Sequence, residues 1–243
     1  MKPCLILQHV EPESAFAIGE QLQLQGIELD VRRIFNRDSV PLDADGFSGL
    51  VIMGGPMSAA SDEGFPTRQV ELSLLADAVL QGTPVLGVCL GAQLLALAAG
   101  GAVFKGSVGP EIGWGQVTLQ AATTTDLLLH GLPPSLEALH WHGDTFDLPP
   151  DATHLASSSA YKHQAFRIGA NAWGFQFHLE VDQGAIDGFL DSFGDEARAA
   201  AGGPSAIRTR TPVALGILEP VRNVVLDRFA QLVAGNGLSA MTG

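Results

Sequence analysis

A strand that runs straight into a cysteine and out again into a helix constrains this chain more than anything else in it. Residues 84–88 form an apolar run of strand length, and residues 90–99 carry apolar side chains at helical spacing. Cys89 stands at the junction, with Gly87 two positions before it and Gly91 two after. A turn this tight crowds its backbone and can demand positive φ, and both call for glycine. The same geometry pushes the central side chain into the open at the carboxyl end of the strand. A helix start directly behind supplies unpaired N–H groups and a partial positive charge, and both favour thiolate over thiol.

The pattern around this elbow predicts the fold. Strand-like runs at 4–8, 27–34 and 49–53 alternate with helical patterns at 13–25 and 67–80, which Gly26 and Gly82 close. Such alternation predicts an α/β domain with a mainly parallel central sheet and helices on both faces. After Gly100 the rhythm changes. Residues 103–104, 112–119, 136–141, 163–168 and 172–177 read as strands with few helices between them, so antiparallel additions to the same domain are expected. Residues 182–193 read as a helix. The stretch 194–211, rich in Ala, Gly, Arg and Thr, predicts an irregular connector, and a last amphipathic helix is expected over about 218–232. The expected division is a single domain over 1–193 and an extension over 194–243. The final helix of that extension packs on the core or at a subunit contact. At 243 residues the chain can bury one full core.

Charge narrows the partners. Lys and Arg number 13 against 26 Asp and Glu, a formal net charge of −13. That balance argues against nucleic acid or an anionic membrane as the partner. No window reaches the length of a membrane-spanning helix, and there is no P-loop, G-x-G-x-x-G or internal repeat. Two cysteines, one of them in the elbow, leave no disulfide framework and point to a reducing compartment. The first residues lack the features of a secretion signal, so a cytoplasmic location is expected. Cys4, inside the first apolar run, reads as a core residue.

A cysteine nucleophile needs a base, and the base needs an orienting group. His178-Leu179-Glu180, at the exit of the 172–177 strand, supplies both within three residues. In an open α/β sheet, sites form beyond the carboxyl ends of strands. Cys89, His178 and the Gly54-Gly55-Pro56 turn all occupy such ends. Attack on a carbonyl creates an oxyanion that needs backbone donors; the N–H groups of Leu90 and Gly55 are the expected pair. His140 and His142 share a face of their strand, but no further His or Cys completes a ligand set, so no metal is expected. His142 reads instead as a pocket wall. Trp114, Trp141 and Trp173 read as core or pocket walls.

The segment Gly87-Val88-Cys89-Leu90-Gly91-Ala92-Gln93, the Gly54-Gly55-Pro56 turn and Gln176-Phe177-His178-Leu179-Glu180 together resemble the class I (triad) glutamine amidotransferases. The stand-alone domains similar to the glutaminase part of GMP synthetase match best, over about residues 1–193. The resemblance implies that Cys89 attacks the side-chain amide of glutamine and forms a γ-glutamyl thioester. Ammonia is released, and water then frees the enzyme. By the same resemblance His178 is the base and Glu180 the orienting acid, while Gly54, Gln93, Glu111 and His142 border the substrate. No cofactor is implied. The chain carries no ATP motif and no synthetase domain, so an ammonia acceptor would sit on a separate synthetase chain. The missing domain also keeps open a stand-alone γ-glutamyl peptidase acting on γ-glutamyl peptides or conjugates. A non-catalytic binding protein on the same fold is the third reading, and the intact triad argues against it.

Overall fold

The computed structural model describes residues 2–198 and 200–235. Its first half alternates β1 (Cys4–Gln8), α1 (Phe16–Leu24), β2 (Leu29–Arg33), β3 (Gly49–Ile52), α2 (Arg68–Gln81), β4 (Val85–Val88) and α3 (Leu90–Ala98). The second half holds β5 (Ala102–Lys105), β6 (Glu111–Leu119), β7 (Ser135–His142), β8 (Asp144–Asp147), β9 (Thr153–Ser157), β10 (Ala165–Ile168) and β11 (Ala172–Phe175). Then come α4 (Gln183–Ser192), α5 (Gly194–Ala197) and α6 (Gly203–Val233). Nine strands form one sheet in the order β2-β1-β3-β4-β11-β10-β9-β6-β7, and β5 pairs with β8 in a separate ribbon. Neighbours from β2 to β11 are parallel; those from β11 to β7 are antiparallel. This is the α/β architecture expected, with the antiparallel strands added at one side.

Both faces of β1, β3, β4 and β11 are buried, which is why these strands read as apolar runs, whereas the edge strand β2 is half-buried and carries Asp30, Arg32 and Arg33. Cys4, Ile6, Val51, Leu86 and Val88 point to one face, and Leu5, Leu7, Leu50, Ile52 and Val85 to the other. The first face is covered by Ile18 and Leu22 of α1, Phe189 of α4, and Val225 and Phe229 of α6. Leu74 and Leu75 of α2 and Leu94 and Leu95 of α3 cover the second. At the elbow the two glycines are needed for close approach. A Cβ on Gly87 would lie 2.5 Å from the Gly91 carbonyl oxygen, and one on Gly91 would overlap the Ile52 carbonyl. Their absence lets α3 rest directly on β3 and β4.

Three expectations are corrected. The first helix begins at Phe16 rather than at residue 13. Residues 9–15 instead cross the carboxyl edge of the sheet, and the Ala17 N–H donates to the Glu180 carbonyl at 3.2 Å. β8 and β9 were not expected. β8 is half polar because it pairs only with β5, outside the main sheet. The connector expected over 194–211 is α5 followed by the first turns of α6, which continues through Pro212 and Pro220. A proline inside a helix removes one hydrogen bond and costs about 3 kcal/mol. Both prolines are exposed, whereas Ile207, Thr211, Ala214, Leu218, Val225 and Phe229 form a buried stripe along the opposite side. Burial of that stripe outweighs the local cost. The Trp114 indole N–H donates to Thr211 Oγ1 at 3.0 Å, and Arg210 forms a two-pronged pair with Glu137 at 2.8 and 2.5 Å. The extension thereby lies against β6 and β7. Residues 236–243 of the expected extension lie outside the described residues.

Candidate active site

Cys89 follows β4 with φ 51° and ψ −107°, a left-handed conformation held from both sides. Its N–H donates to the Phe175 carbonyl of β11 at 2.8 Å, and its carbonyl accepts from the Gln93 N–H of α3 at 3.1 Å. The thiol points into a cleft of about 400 Å³ at the carboxyl edge of the sheet. It lies 3.6 Å from the Trp141 carbonyl oxygen, and the Leu90 N–H points at the sulfur. Burial pushes the thiol above its ordinary value, while the neighbouring His178 pulls the other way.

His178 is fixed by its backbone as well as its ring. Its N–H donates to the Leu139 carbonyl of β7 at 2.8 Å, and its carbonyl accepts from the Leu139 N–H at 3.3 Å. Nδ1 donates to Glu180 Oε1 at 2.7 Å, and the ring meets Phe189 edge-on. With Nδ1 so engaged, Nε2 is the nitrogen left to exchange a proton, and it has no hydrogen-bond partner. Burial alone would lower this imidazole, but the Glu180 carboxylate and Cys89 hold it well above its ordinary range. Cys89, His178 and Glu180 are thus brought together from β4, the exit of β11 and the loop that follows it.

The Gly54-Gly55 turn is locked by a residue that the sequence reading missed. His9 Nδ1 lies 3.1 Å from both the Met53 and Gly54 carbonyl oxygens, and its Nε2 is 2.8 Å from Glu71 Oε2. Thr67 Oγ1 donates to the other oxygen of Glu71 at 2.6 Å. A trans peptide carries its C=O and N–H in opposite directions. Holding the Gly54 carbonyl toward His9 therefore turns the Gly55 N–H away from His9. Gly55 lines the cleft with Cys89.

Glu13 is the second residue missed, because it sat inside an expected helix. It is buried, lines the cleft and has one carboxylate oxygen without a partner. A Cβ on Gly54 would overlap this carboxylate and stand 3.3 Å from His178 Cε1. Burial pushes Glu13 up to about 7; the charge of His178 opposes that shift and the charge of Glu180 adds to it.

Of the residues expected to border substrate, Gln93 and His142 line the cleft. Gln93 Nε2 donates to Gln176 Oε1 at 3.1 Å. Gly54 supports the turn through its carbonyl. Glu111 stands behind the wall, where its carboxylate meets His142 Nε2 at 3.1 Å and Gln164 Nε2 at 2.6 Å. Burial would raise its carboxyl, but His142 and the neighbouring donors hold it below the ordinary range. Trp141 lines the cleft and its indole N–H donates to Glu196 at 2.9 Å, so α5 of the extension contributes to the cleft wall. Trp173 is fully buried.

Comparison with known proteins agrees with this architecture. The family model described as glutamine amidotransferase class-I matches residues 15–191. The glutamine amidotransferase-like protein YfeJ of Salmonella typhimurium is 33% identical over 198 residues, 80% of this chain and 82% of that protein. The glutamine-hydrolysing GMP synthase of Porphyromonas gingivalis is 33% identical over 66% of this chain, which spans only 31% of that larger protein. Gamma-glutamyl peptidase 4 of Arabidopsis thaliana is 29% identical, over 66% of this chain and 62% of that one. Among solved structures, a glutamine amidotransferase from Thermotoga maritima superposes with a TM-score of 0.85 at 28% identity. That match covers 94% of this chain and 98% of the other.

Proposed function

The chain belongs to the glutamine amidotransferase class-I family, and we propose that it hydrolyses the side-chain amide of glutamine through a γ-glutamyl thioester on Cys89. The observation that carries this reading is the convergence of Cys89, in its left-handed turn, with an imidazole whose far nitrogen is already engaged by Glu180 at 2.7 Å. His178 Nε2 takes the thiol proton as Sγ attacks the amide carbon. The oxyanion that forms accepts from the Leu90 and Gly55 N–H groups. His178 returns the proton to the departing nitrogen, and ammonia leaves. It then takes a proton from water, which attacks the thioester and releases glutamate. Glu180 keeps Nδ1 protonated and stabilises the imidazolium at each transfer. Glu13 is best left neutral, since a second carboxylate beside the sulfur would disfavour the thiolate.

A second reading, cleavage of γ-glutamyl peptides, is favoured by one feature of the cleft. Phe193 and Glu196, beside and within the extension, form part of its wall, so this chain supplies cleft surface beyond the amide site without a synthetase chain. The two readings use the same nucleophile and differ in the leaving group. Glutamate release by the purified chain separates them, using glutamine and a γ-glutamyl dipeptide side by side with Cys89→Ala as the blank. Cys89-dependent turnover of glutamine, raised by a synthetase partner, supports the first reading. Faster turnover of the dipeptide by the chain alone supports the second. Equal rates for wild type and Cys89→Ala on both substrates would defeat both.

A further inference from the structure

At the cleft wall and behind it, two strands bring together side chains to which the proposed hydrolysis assigns no chemical step. Glu111 opens β6 and is paired directly across from His142 at the end of β7; His140, two residues back, lies across from Gly113. The two histidines share one face of β7. The glycine at position 115 leaves space for the His140 ring, which lies against it. Among the described residues, Glu111, His140 and His142 are the one group of three His, Cys, Asp or Glu whose ligand atoms all lie within 4.8 Å of one another. The sequence offered two histidines and no third ligand; the strand pairing supplies Glu111.

The hydrogen bonds make this cluster incomplete as it stands. His142 Nδ1 is 2.9 Å from the Asp144 carbonyl oxygen, which can only accept, so Nδ1 carries the hydrogen. In a neutral ring Nε2 is then a bare lone pair, and it faces Glu111 Oε2 at 3.1 Å. Two acceptors confront one another there. His140 Nδ1 faces the same oxygen at 3.7 Å, and neither nitrogen of that buried ring has a hydrogen-bond partner. A carboxylate faced by these ring nitrogens calls for positive charge beside it, supplied by a proton on a ring or by a metal ion between them.

We infer that Glu111, His140 and His142 form a divalent cation site of the zinc type, with the Gln164 side-chain oxygen as its fourth ligand. A tetrahedral ion bound at ordinary zinc distances holds its ligand atoms about 3.4 Å apart. The spacings of 3.1 and 3.7 Å bracket that value. Gln164 Nε2 lies 2.6 Å from Glu111 Oε2 and 3.4 Å from His142 Nε2, while its Oε1 has no partner. Turning the amide by half a revolution puts the oxygen into the ligand set; the bonds of Nε2 to Glu111 and Ser158 are given up, and the 2.6 Å contact opens to about 3.4 Å as the ion enters. Two imidazole nitrogens and two oxygens with no open position make a structural rather than a catalytic site. The His142 N–H on the Asp144 carbonyl is the outer hydrogen bond that commonly orients a ligating histidine. Such an ion would tie β6 to β7 and to Gln164 ahead of β10. It would thereby stiffen the wall that carries the Trp141 carbonyl facing Cys89.

The test is titration of chelator-stripped protein with Zn²⁺ by calorimetry and with Co²⁺ by visible absorption. It is run in the Cys89→Ala background so that the nucleophile cannot capture the ion. One ion per chain, with Kd below about 1 µM, is expected. The Co²⁺ spectrum should show four-coordinate bands without thiolate-to-metal charge transfer. Glu111→Gln, which keeps shape but removes the charge, should weaken binding at least about 100-fold. In chelator its Tm should equal that of the parent, but the rise in Tm on adding Zn²⁺ should be lost. Gln164→Ala should weaken binding by a smaller factor. The inference is overturned if the Cys89→Ala protein binds neither ion, or if Glu111→Gln binds them like the parent. It also fails if only proteins with Cys89 bind them, because the ion then sits on the thiol.

Discussion

Cys4 and Cys89 belong to the same parallel sheet and are both buried, at 0% and 6% exposure. Yet one opens β1 at the amino end and the other follows β4 at the carboxyl end. Burial pushes both thiols up. Around Cys4 burial alone acts: the sulfur is packed in the core, and its hydrogen-bond partner among the described residues is the neighbouring Leu5 carbonyl at 3.8 Å. Around Cys89 the His178 ring, the Leu90 N–H and a left-handed backbone all act on the sulfur. Burial therefore does not distinguish a core cysteine from a nucleophile. The end of the strand does, because only the carboxyl edge gathers loops from β1, β3, β4 and β11 around one point.

The largest effect that would sharpen this contrast is the loss of the nucleophile. Cys89→Ala should lower kcat at least about 10³-fold, measured by glutamate release, with no loss of folded protein by circular dichroism. His178→Ala should be comparably damaging, because its unpartnered Nε2 is the group positioned to take the thiol proton. Glu180→Gln should retain about a hundredfold more activity than His178→Ala, since an orienting group is partly dispensable. The reverse ranking in kcat would break the assignment of roles.

Glu13 provides a pH test of the same edge. Its carboxyl is held at about 7 against an ordinary 4.5 because burial disfavours its charge. Between those two pH values the folded chain holds a proton that the unfolded chain has released. Stability therefore falls as pH rises through that window, by an amount approaching about 3 kcal/mol above pH 7. Glu13→Gln should remove this fall. Urea unfolding near pH 5 should separate the two proteins little, and near pH 8 the variant should be more stable. Equal wild-type and variant curves at both pH values would contradict the burial of an ionisable carboxyl there. The smallest expected effect is at the other end of the sheet. Cys4→Ala should leave kcat unchanged and cost about 1 kcal/mol in urea unfolding, the loss of a small core side chain.

The parallel half was legible because its inner strands are buried on both faces and its helices are closed by glycine. Cys89, His178, Glu180 and the Gly54-Gly55 turn were legible because each is marked by local chemistry at the end of a strand. Glu13 was not, since Glu13 to Gln25 carries helical spacing and only the tertiary bond from Ala17 to Glu180 shows where the helix starts. His9 gave no signal, because its task is to hold two carbonyls 44 and 45 residues away. The second half of α6 was legible, but its first half was hidden by the Ala, Gly, Arg and Thr composition of 194–211 and by Pro212, whose local cost is outweighed by a stripe that is buried only when β6 and β7 are present. Glu111 reads as a strand end, and its meeting with His142 depends on a register that spans 31 residues.

The central claim is that the thiol at the carboxyl edge, and not the equally buried one at the amino end, performs the chemistry. The direct measurement is inactivation by a chloroketone analogue of glutamine, followed by peptide mapping of both cysteines. The account predicts that label on Cys89 rises in step with lost activity to one per chain, that glutamine slows it, and that Cys4 stays unlabelled until the protein is unfolded. Full activity after stoichiometric labelling of Cys89, or labelling of Cys4 in the folded protein at the same rate, would contradict it.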